Sequence, residues 1–536
     1  MIISFTSPLS FCRSYRQKLN PGSLTSYMVS FVLSNRQGQS PFIRGKTIVQ
    51  TLTAFFASAD ATITMEHTPI WFKNNRGQIV LMEGCEKHII VEEAKQIWSK
   101  MKSLGPTQEM AHRMTHDGYL KLWQLQKPSL SNYDAILVDE AQDCTPAVMD
   151  IVLSQTCGVI LVGDPHQQIY TFRGAVNSLS NVPHSRIFYL TQSFRFGSEI
   201  AYVGATLLDV CKKVRNKILV GNNQEGDVSG VGVEGKVARL SRNNQTVFED
   251  AVNVTGGDSP AKIHLLGGLK AFGLDKIHDL WKLLHPELKL EIKDFFVKRW
   301  VEKGLAGIRD YAKKAEDKQL EIKIGIVEKY RERIPELLER ISRCHVLDPK
   351  DADYILGTVH KAKGLEFDTV QVAGDFVSIP FTWPYPGRLP RSIPAVPEAI
   401  PEDEWNLMYV AVTRAKKRLV MSRYLADILK VAKEYYVRFE LTEEVCKNMS
   451  LWCSEQRCCN AIPADSVLIP KRINFVYVDG TKTPEGLLCH SCAAWTLGPI
   501  AQLTGSPTTE QDAACPPENI EVPSVARILL ESLLSS

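Results

Sequence analysis

Two apolar runs that each stop on an acid constrain this chain more than any other feature. "AILVDEAQD" (135–143) and "GVILVGD" (158–164) flank "CTPAVMDIVLSQT", where Thr145 and Pro146 precede a helical apolar pattern. A Thr N-cap followed by Pro at the first helical position marks a helix start. The order is therefore β-α-β. Strands joined through a helix run parallel, and parallel sheets belong to α/β architectures with helices on their faces. The two short, continuous runs read as buried strands. Ligands of such sheets gather at the carboxyl ends of the strands, where Asp139, Glu140 and Asp164 stand.

The remaining chain is compatible with several domains. Its 536 residues, 44% hydrophobic and 23% charged, describe a globular protein. A net charge of +3 excludes a uniformly basic nucleic-acid binder, so any basic surface is local. The first residues lack the pattern of a signal peptide, and no apolar run is long enough to span a bilayer. Thirteen scattered cysteines fit a reducing, intracellular compartment better than a disulfide framework. The spacing of Ile48, Leu52, Phe55 and Phe56 predicts a mostly helical region over 24–125, and 275–345 reads as a charged helical insert. Strand patterns return at "YILGTV", "DTVQVAG" and "KRLVMS", while seven prolines over 379–401 mark a stiff surface loop.

The acids point to nucleotide chemistry. Asp139 suits Mg²⁺, which prefers hard oxygen ligands, and Glu140 can orient and deprotonate an attacking water. The plainer alternative is a strand-end acid that caps the next helix. "GDPHQQIYTFRGA" (163–175) weighs against it by adding Asp164, Gln167, Tyr170, Phe172 and Arg173. Rings beside a cation suit single-stranded nucleic acid, whose bases stack while its phosphates pair with Arg. Tyr170 and Phe172 serve equally well as core residues on sequence grounds.

Together, "VDEAQD" and "GDPHQQIYTFRGA" resemble motifs II and III of the superfamily 1 helicases related to UvrD and PcrA. "LTQSFRFGSEI" (190–200), "HLLGGLKAFGLDKIHD" (264–279), "GTVHKAKGLEFD" (357–368) and "EDEWNLMYVAVTRAKKRL" (402–419) follow in the family's order. The resemblance implies arginine fingers at Arg195 and Arg414 and γ-phosphate sensing by Gln167. It also implies nucleotide contacts from Asp164, Gly364 and Glu366. Tyr170, Phe172, Arg173, Arg242, Thr358, His360 and Lys363 would face DNA. ATP and Mg²⁺ are the implied cofactors.

The implied fold is α/β, two RecA-like parallel-sheet domains with helical inserts and a small Cys-rich unit. Its boundaries are 1–126 (remnant of the first domain with a helical insert), 127–185 (rest of that domain), 186–274 (second domain, first part), 275–345 (helical insert), 346–445 (second domain, second part), 446–502 (Cys-rich unit) and 503–536 (tail). Within the superfamily, about 24–500 resembles the F-box DNA helicases. That implies 3′-to-5′ translocation on single-stranded DNA with unwinding of duplex, single-stranded DNA and DNA forks as partners, a nuclear location, and roles in recombination control, repair and replication stress. Recombinase filaments and, through an F-box, a ubiquitin ligase become implied partners.

Two departures stand out. A phosphate loop reads G-x-x-x-x-G-K-[ST], and the only Gly-Lys-Thr is Gly45-Lys46-Thr47, with Ser40 where the first Gly belongs and Pro41, Phe42 and Ile43 after it. Pro removes a donor, and bulky residues hinder backbone approach to phosphate. The expectation is a chain starting downstream of the phosphate loop, as a truncated form or an incomplete gene model, with ATP affinity and hydrolysis severely impaired; the alternative to a helicase is a fragment that binds single-stranded DNA or a partner without hydrolysis. The second departure is C-x₄-C followed by C-x₂-C at Cys453, Cys458, Cys489 and Cys492, with Cys459 able to replace Cys458. Four thiolates suit structural Zn²⁺; free thiols in a small apolar unit are the alternative.

Overall fold

The computed structural model describes residues 19–34, 36, 40–74, 78–103, 107–212, 219–222, 224, 226–228, 235–376, 400–422 and 425, with the backbone of short strands at 2–3, 439–440, 467–470 and 487–488. The chain divides into two compact units, Met1–Ser185 with Gly273–Pro335, and Arg186–Phe272 with Glu336–Ser536.

In the first unit, β1 (Ile2–Ile3), β4 (Ala135–Val138) and β5 (Gly158–Leu161) form a parallel sheet in the order β1-β4-β5, with Ile136 opposite Val159. The helix Pro146–Leu153 connects β4 to β5 and starts where Thr145 Oγ1 accepts from Val148 N. Burial differs from the sequence expectation of fully buried strands. Ile136 and Val138 are completely buried against Val148, Ile151 and Val152, whereas Leu137 and Ile160 are 36% and 52% exposed. Side chains alternate across a strand, so the helix covers only one face.

A helical layer completes this unit. Helix Pro41–Ala57 buries Ile48, Leu52, Phe55 and Phe56 against Ile90, Ala94, Ile97 and Trp98 of helix Gly84–Met101. Between them β2 (Trp71–Lys73) and β3 (Ile79–Leu81) pair as an antiparallel hairpin. The helical reading of 24–125 missed that hairpin because Trp71, Ile79 and Leu81 all face outward. Helix His116–Leu125, capped by Thr115 Oγ1, carries the fully buried Lys121. The segment read as a helical insert forms helices Leu274–Lys282, Gly304–Ala315 and Lys318–Tyr330, and its residues through Pro335 group with this unit.

The second unit is built on a five-stranded, wholly parallel sheet. Its strands are β8 (Val237–Ser241), β9 (Ile263–Leu265), β10 (Tyr354–Thr358), β11 (Phe367–Val372) and β12 (Ala415–Val420), in the order β12-β11-β8-β10-β9. A separate parallel pair joins β6 (Gln192–Gly197) to β7 (Val220–Asn222). Helices Ser198–Lys212, Asn244–Val254 and Glu402–Val412 accompany these strands. Among the described residues, no helix is long and apolar enough to cross a membrane.

Candidate functional site

At the end of β4 the backbone turns sharply. Glu140 adopts the left-handed conformation (φ 54°, ψ 40°), and its N–H donates to Asp139 Oδ1 at 2.9 Å. A non-glycine residue there is strained and persists only where its surroundings hold it. Gln142 does so. Completely buried, it donates from Nε2 to Glu140 Oε2 (2.5 Å) and accepts from Asp164 N (3.1 Å) on Oε1. One amide thus ties the acid at the end of β4 to the acid after β5. Gly163 is required for this contact, because a Cβ there would stand 2.0 Å from Gln142 Oε1.

Asp164 in turn accepts from His166 N (3.0 Å) and from Gln167 Nε2 (3.1 Å), while Asp143 Oδ1 accepts from Ile169 N (3.4 Å). The structure therefore brings Asp139, Glu140, Asp164 and Gln167 into one hydrogen-bonded group. Sequence reasoning quoted Gln142 and Asp143 without giving either a role. The signal was their place beside the two acids.

Asp139 is exposed. Mg²⁺ is commonly held by one or two carboxylates together with substrate phosphates, and the exposed Asp139 carboxylate at a strand end meets that need. Among the described residues no group of three or more His, Cys, Asp and Glu could by itself hold a metal ion. Cys453, Cys458, Cys489 and Cys492 lie outside the described residues, as does Cys459.

Beyond Gln167, the Tyr170 and Phe172 rings lie 6.0 Å apart with 56° between their planes. Arg173 Cζ sits 5.5 Å and 5.7 Å from their centroids. Phe172 is 64% exposed, which removes it from the core, while burial pushes the Tyr170 hydroxyl above its ordinary pKa. Gly174 closes the turn at φ 81°, and a Cβ there would stand 2.5 Å from Ala57 Cβ.

In the second unit, β6 presents Arg195, which donates from Nε to Glu366 Oε2 (3.1 Å) and from Nη1 to Thr413 O (3.1 Å). The Arg195 hydrogen bond holds the Glu366 carboxyl below its ordinary pKa, with Lys416 at 3.6 Å assisting. Arg195, Glu366 and the loop before Arg414 thus come together. Phe194, missed in the sequence, presents an 82% exposed ring beside Arg195; its signal was the in-out alternation of "QSFRF".

Two other arginines are engaged by acceptors of the fold, Arg414 buried and Arg242 half-buried. Arg414 is 2% exposed and donates to Val410 O (3.1 Å), Leu365 O (3.4 Å) and Thr413 Oγ1 (3.2 Å). Arg242 forms a bidentate pair with Glu404 (2.7–3.1 Å), which raises its pKa. Asp375 anchors the backbone of Arg242 and Asn243. Thr358 is buried at the end of β10, His360 and Lys363 are half-buried on the following turn, and Gly364 follows in a left-handed conformation. Gly45-Lys46-Thr47 lies inside helix Pro41–Ala57. The Gly45 face packs against Ser26 O, and Lys46 pairs with Glu316.

Both units contain stretches that match known protein families. Residues 107–183 match the UvrD/REP helicase N-terminal domain, and 308–426 match the UvrD-like helicase C-terminal domain. The F-box DNA helicase 1 of Gallus gallus is 55% identical over 501 residues, covering 92% of this chain and 49% of that protein. The F-box DNA helicase protein 1 of Schizosaccharomyces pombe is 29% identical over 432 residues, covering 75% of this chain and 46% of its own length. The chain spans about half the length of these curated relatives. The two matched domains imply RecA-like α/β folds, in keeping with the parallel sheets. The chain belongs to the UvrD-like superfamily 1 helicases.

Proposed function

We propose that this chain forms part of an ATP-driven DNA helicase that moves 3′ to 5′ on single-stranded DNA and opens duplex ahead of it. The observation that carries this reading is the Gln142-centred group, which presents an exposed Asp139 and a tethered Glu140 at a strand end. Asp139 would hold Mg²⁺, which neutralises charge on the transferring phosphoryl group when bound. Glu140 orients and deprotonates water, and Gln167, fixed by Asp164, contacts the γ-phosphate. In the second unit, Arg195 and Arg414 supply guanidiniums for transition-state charge. Each must exchange its present partners for phosphate. Tyr170, Phe172 and Arg173 bind bases and backbone, with Thr358, His360, Lys363 and Arg242 as further strand contacts.

We further propose, on the resemblance of the motifs alone, a nuclear protein working in recombination control, repair and replication stress, with recombinase filaments and a ubiquitin ligase as partners. Structural Zn²⁺ on Cys453, Cys458, Cys489 and Cys492 rests on spacing alone. Metal analysis with and without Cys489→Ser plus Cys492→Ser tests it.

The experiment is unwinding of duplexes carrying a 3′ or a 5′ single-stranded tail by a protein that includes this chain. Unwinding of the 3′-tailed duplex alone is expected, and Glu140→Gln abolishes it. Preference for the 5′ tail would refute the direction. A second reading applies to the 536 residues as they stand. Gly45-Lys46-Thr47 is helix interior with Lys46 engaged by Glu316, which favours DNA binding without hydrolysis. Single-stranded DNA affinity without DNA-stimulated ATP turnover would support it; robust turnover would end it.

A further inference from the structure

The first unit carries a second surface on which rings and a guanidinium meet. Helix Phe295–Lys298 is rigidly seated. Asp294 Oδ1 accepts from Val297 N (2.9 Å), and the buried Asp279 accepts from Lys293 N (2.9 Å) and Asp294 N (2.7 Å). Its two phenylalanines then part company. Phe296 turns inward onto Tyr27 (4.6 Å between centroids) and Tyr311 (5.5 Å). Phe295 stays 56% exposed. The same division occurs on the short helix Ser26–Ser30, where Tyr27 is 5% exposed and Phe31, one turn on, is 52% exposed.

Arg299 stands between the two outward rings, its Cζ 4.7 Å from the Phe31 centroid and 4.4 Å from that of Phe295. It has no carboxylate partner among the described residues. Phe31 meets the cluster edge-on at Tyr27 (4.7 Å between centroids), yet both Phe31 and Phe295 keep more than half of their surface in solvent. Their surroundings are basic: residues 292–314 hold seven Lys and Arg against three Asp and Glu. That local net charge of +4 exceeds the +3 of the entire chain.

We propose that Phe31, Phe295 and Arg299 form a second binding surface for single-stranded nucleic acid, separate from Tyr170, Phe172 and Arg173. The rings stack on unpaired bases while Arg299 pairs with a phosphate or stacks in its turn. Tyr170, Phe172 and Arg173 show the same chemical grouping, two rings with a guanidinium under 6 Å from both. Charge complementarity favours a nucleic-acid strand over an apolar protein segment. The inference rests on the DNA-binding part of the function proposed above.

The test is fluorescence anisotropy of the full chain with labelled oligothymidylate, for the parent and for Phe31→Ala, Phe295→Ala, Arg299→Lys, Arg299→Ala and Phe172→Ala. Each change at 31, 295 or 299 is expected to weaken binding about five-fold or more, the low end for losing one stacked base. Arg299→Ala also lowers the slope of log affinity against log salt by about 0.7, the value for one released counterion on a single strand. Arg299→Lys leaves the slope unchanged. Phe295→Leu, which keeps apolar bulk without a ring, provides the same answer should the alanine variant misfold. Trp300 fluorescence reports the integrity of the cluster beneath. Parent-level affinity in all three positions alongside weakened Phe172→Ala overturns this inference alone and leaves the surface to a protein partner. A parent chain that does not bind the oligonucleotide overturns both.

Discussion

Replacing Gln142 with Leu removes the amide that joins the two strand-end acids while keeping most of its volume. Two interactions are lost. The bond to the Glu140 carboxylate is charge-assisted and worth about 1.5–3 kcal/mol. The Asp164 N–H is left without its acceptor, at about 1–3 kcal/mol when fully buried. Glu140 and Asp164 are half-buried, so water recovers part of both. The expected net loss is about 3 kcal/mol. Urea unfolding followed by intrinsic fluorescence measures it as a shift in the first transition.

The neighbouring glycine makes the argument sharper. Gly163→Ala places a Cβ 2.0 Å from Gln142 Oε1 and must expel the amide, so both changes act on one contact. The double variant should then be less destabilised than the sum of the singles, by about 1 kcal/mol or more. Strictly additive losses, or an unchanged midpoint in Gln142→Leu, would show that Gln142 does not hold these acids.

Three further outcomes follow from individual groups. Gly174→Ala meets both a left-handed backbone and the Ala57 Cβ at 2.5 Å, so unfolding should become easier by about 2 kcal/mol, with single-stranded DNA affinity falling as Arg173 is displaced. Lys121, fully buried, donates to Ser58 O (2.8 Å) and Asp60 O (2.5 Å), and burial lowers its pKa from 10.5 to about 8. Between those values the unfolded chain binds more protons, so this residue's contribution to stability rises with pH from about 8 towards 10.5; Lys121→Met should erase the rise in a pH series of urea midpoints. Glu366 follows the same sign at lower pH. Arg195 holds its carboxyl below the ordinary 4.5, so its stabilisation is present above that value and disappears as pH falls through the lowered one. The stability difference between parent and Arg195→Ala should shrink on acidification; a constant difference would disconnect the pair from folding.

The legibility of this fold depended on whether a local signal coincided with burial. Thr145-Pro146 announced a helix because capping and the fixed φ of proline act within one turn, and the helix begins there. Ile48, Leu52 and Phe55 announced another because their spacing is that of a buried stripe, and all three are completely buried. The hairpin at Trp71–Lys73 and Ile79–Leu81 gave no such sign, since Trp71, Ile79 and Leu81 face solvent and its residues do not alternate apolar with polar. Burial of β4 and β5 was overread for a related reason. A continuous apolar run looks alike with one face covered or two, and Ile160 reveals that only one is. At the site, residue types announced the acids and rings, but not what holds them. Gln142 and Asp143 act through contacts with residues more than twenty positions away in sequence, which no local pattern records.

The arginines of the second unit are each engaged by acceptors of the fold. A guanidinium left alone in a protein interior costs several kcal/mol in desolvation, so its position must be secured by acceptors within the fold. Arg414 has the carbonyls of Val410 and Leu365, Arg242 has Glu404, and Arg195 has Glu366 and the carbonyl of Thr413. A phosphate that recruits Arg195 competes with a carboxylate already below its ordinary pKa, and that competition weakens binding by the strength of the pair it breaks. Glu366→Gln should therefore tighten triphosphate binding to a protein that contains this chain, by removing the competitor's charge while keeping its shape. Weaker binding in that variant would instead mean that Glu366 itself contacts the nucleotide, the role that its place in "KGLEFD" implies. Titration with a fluorescent ATP analogue decides between the two, because the affinity change has opposite sign.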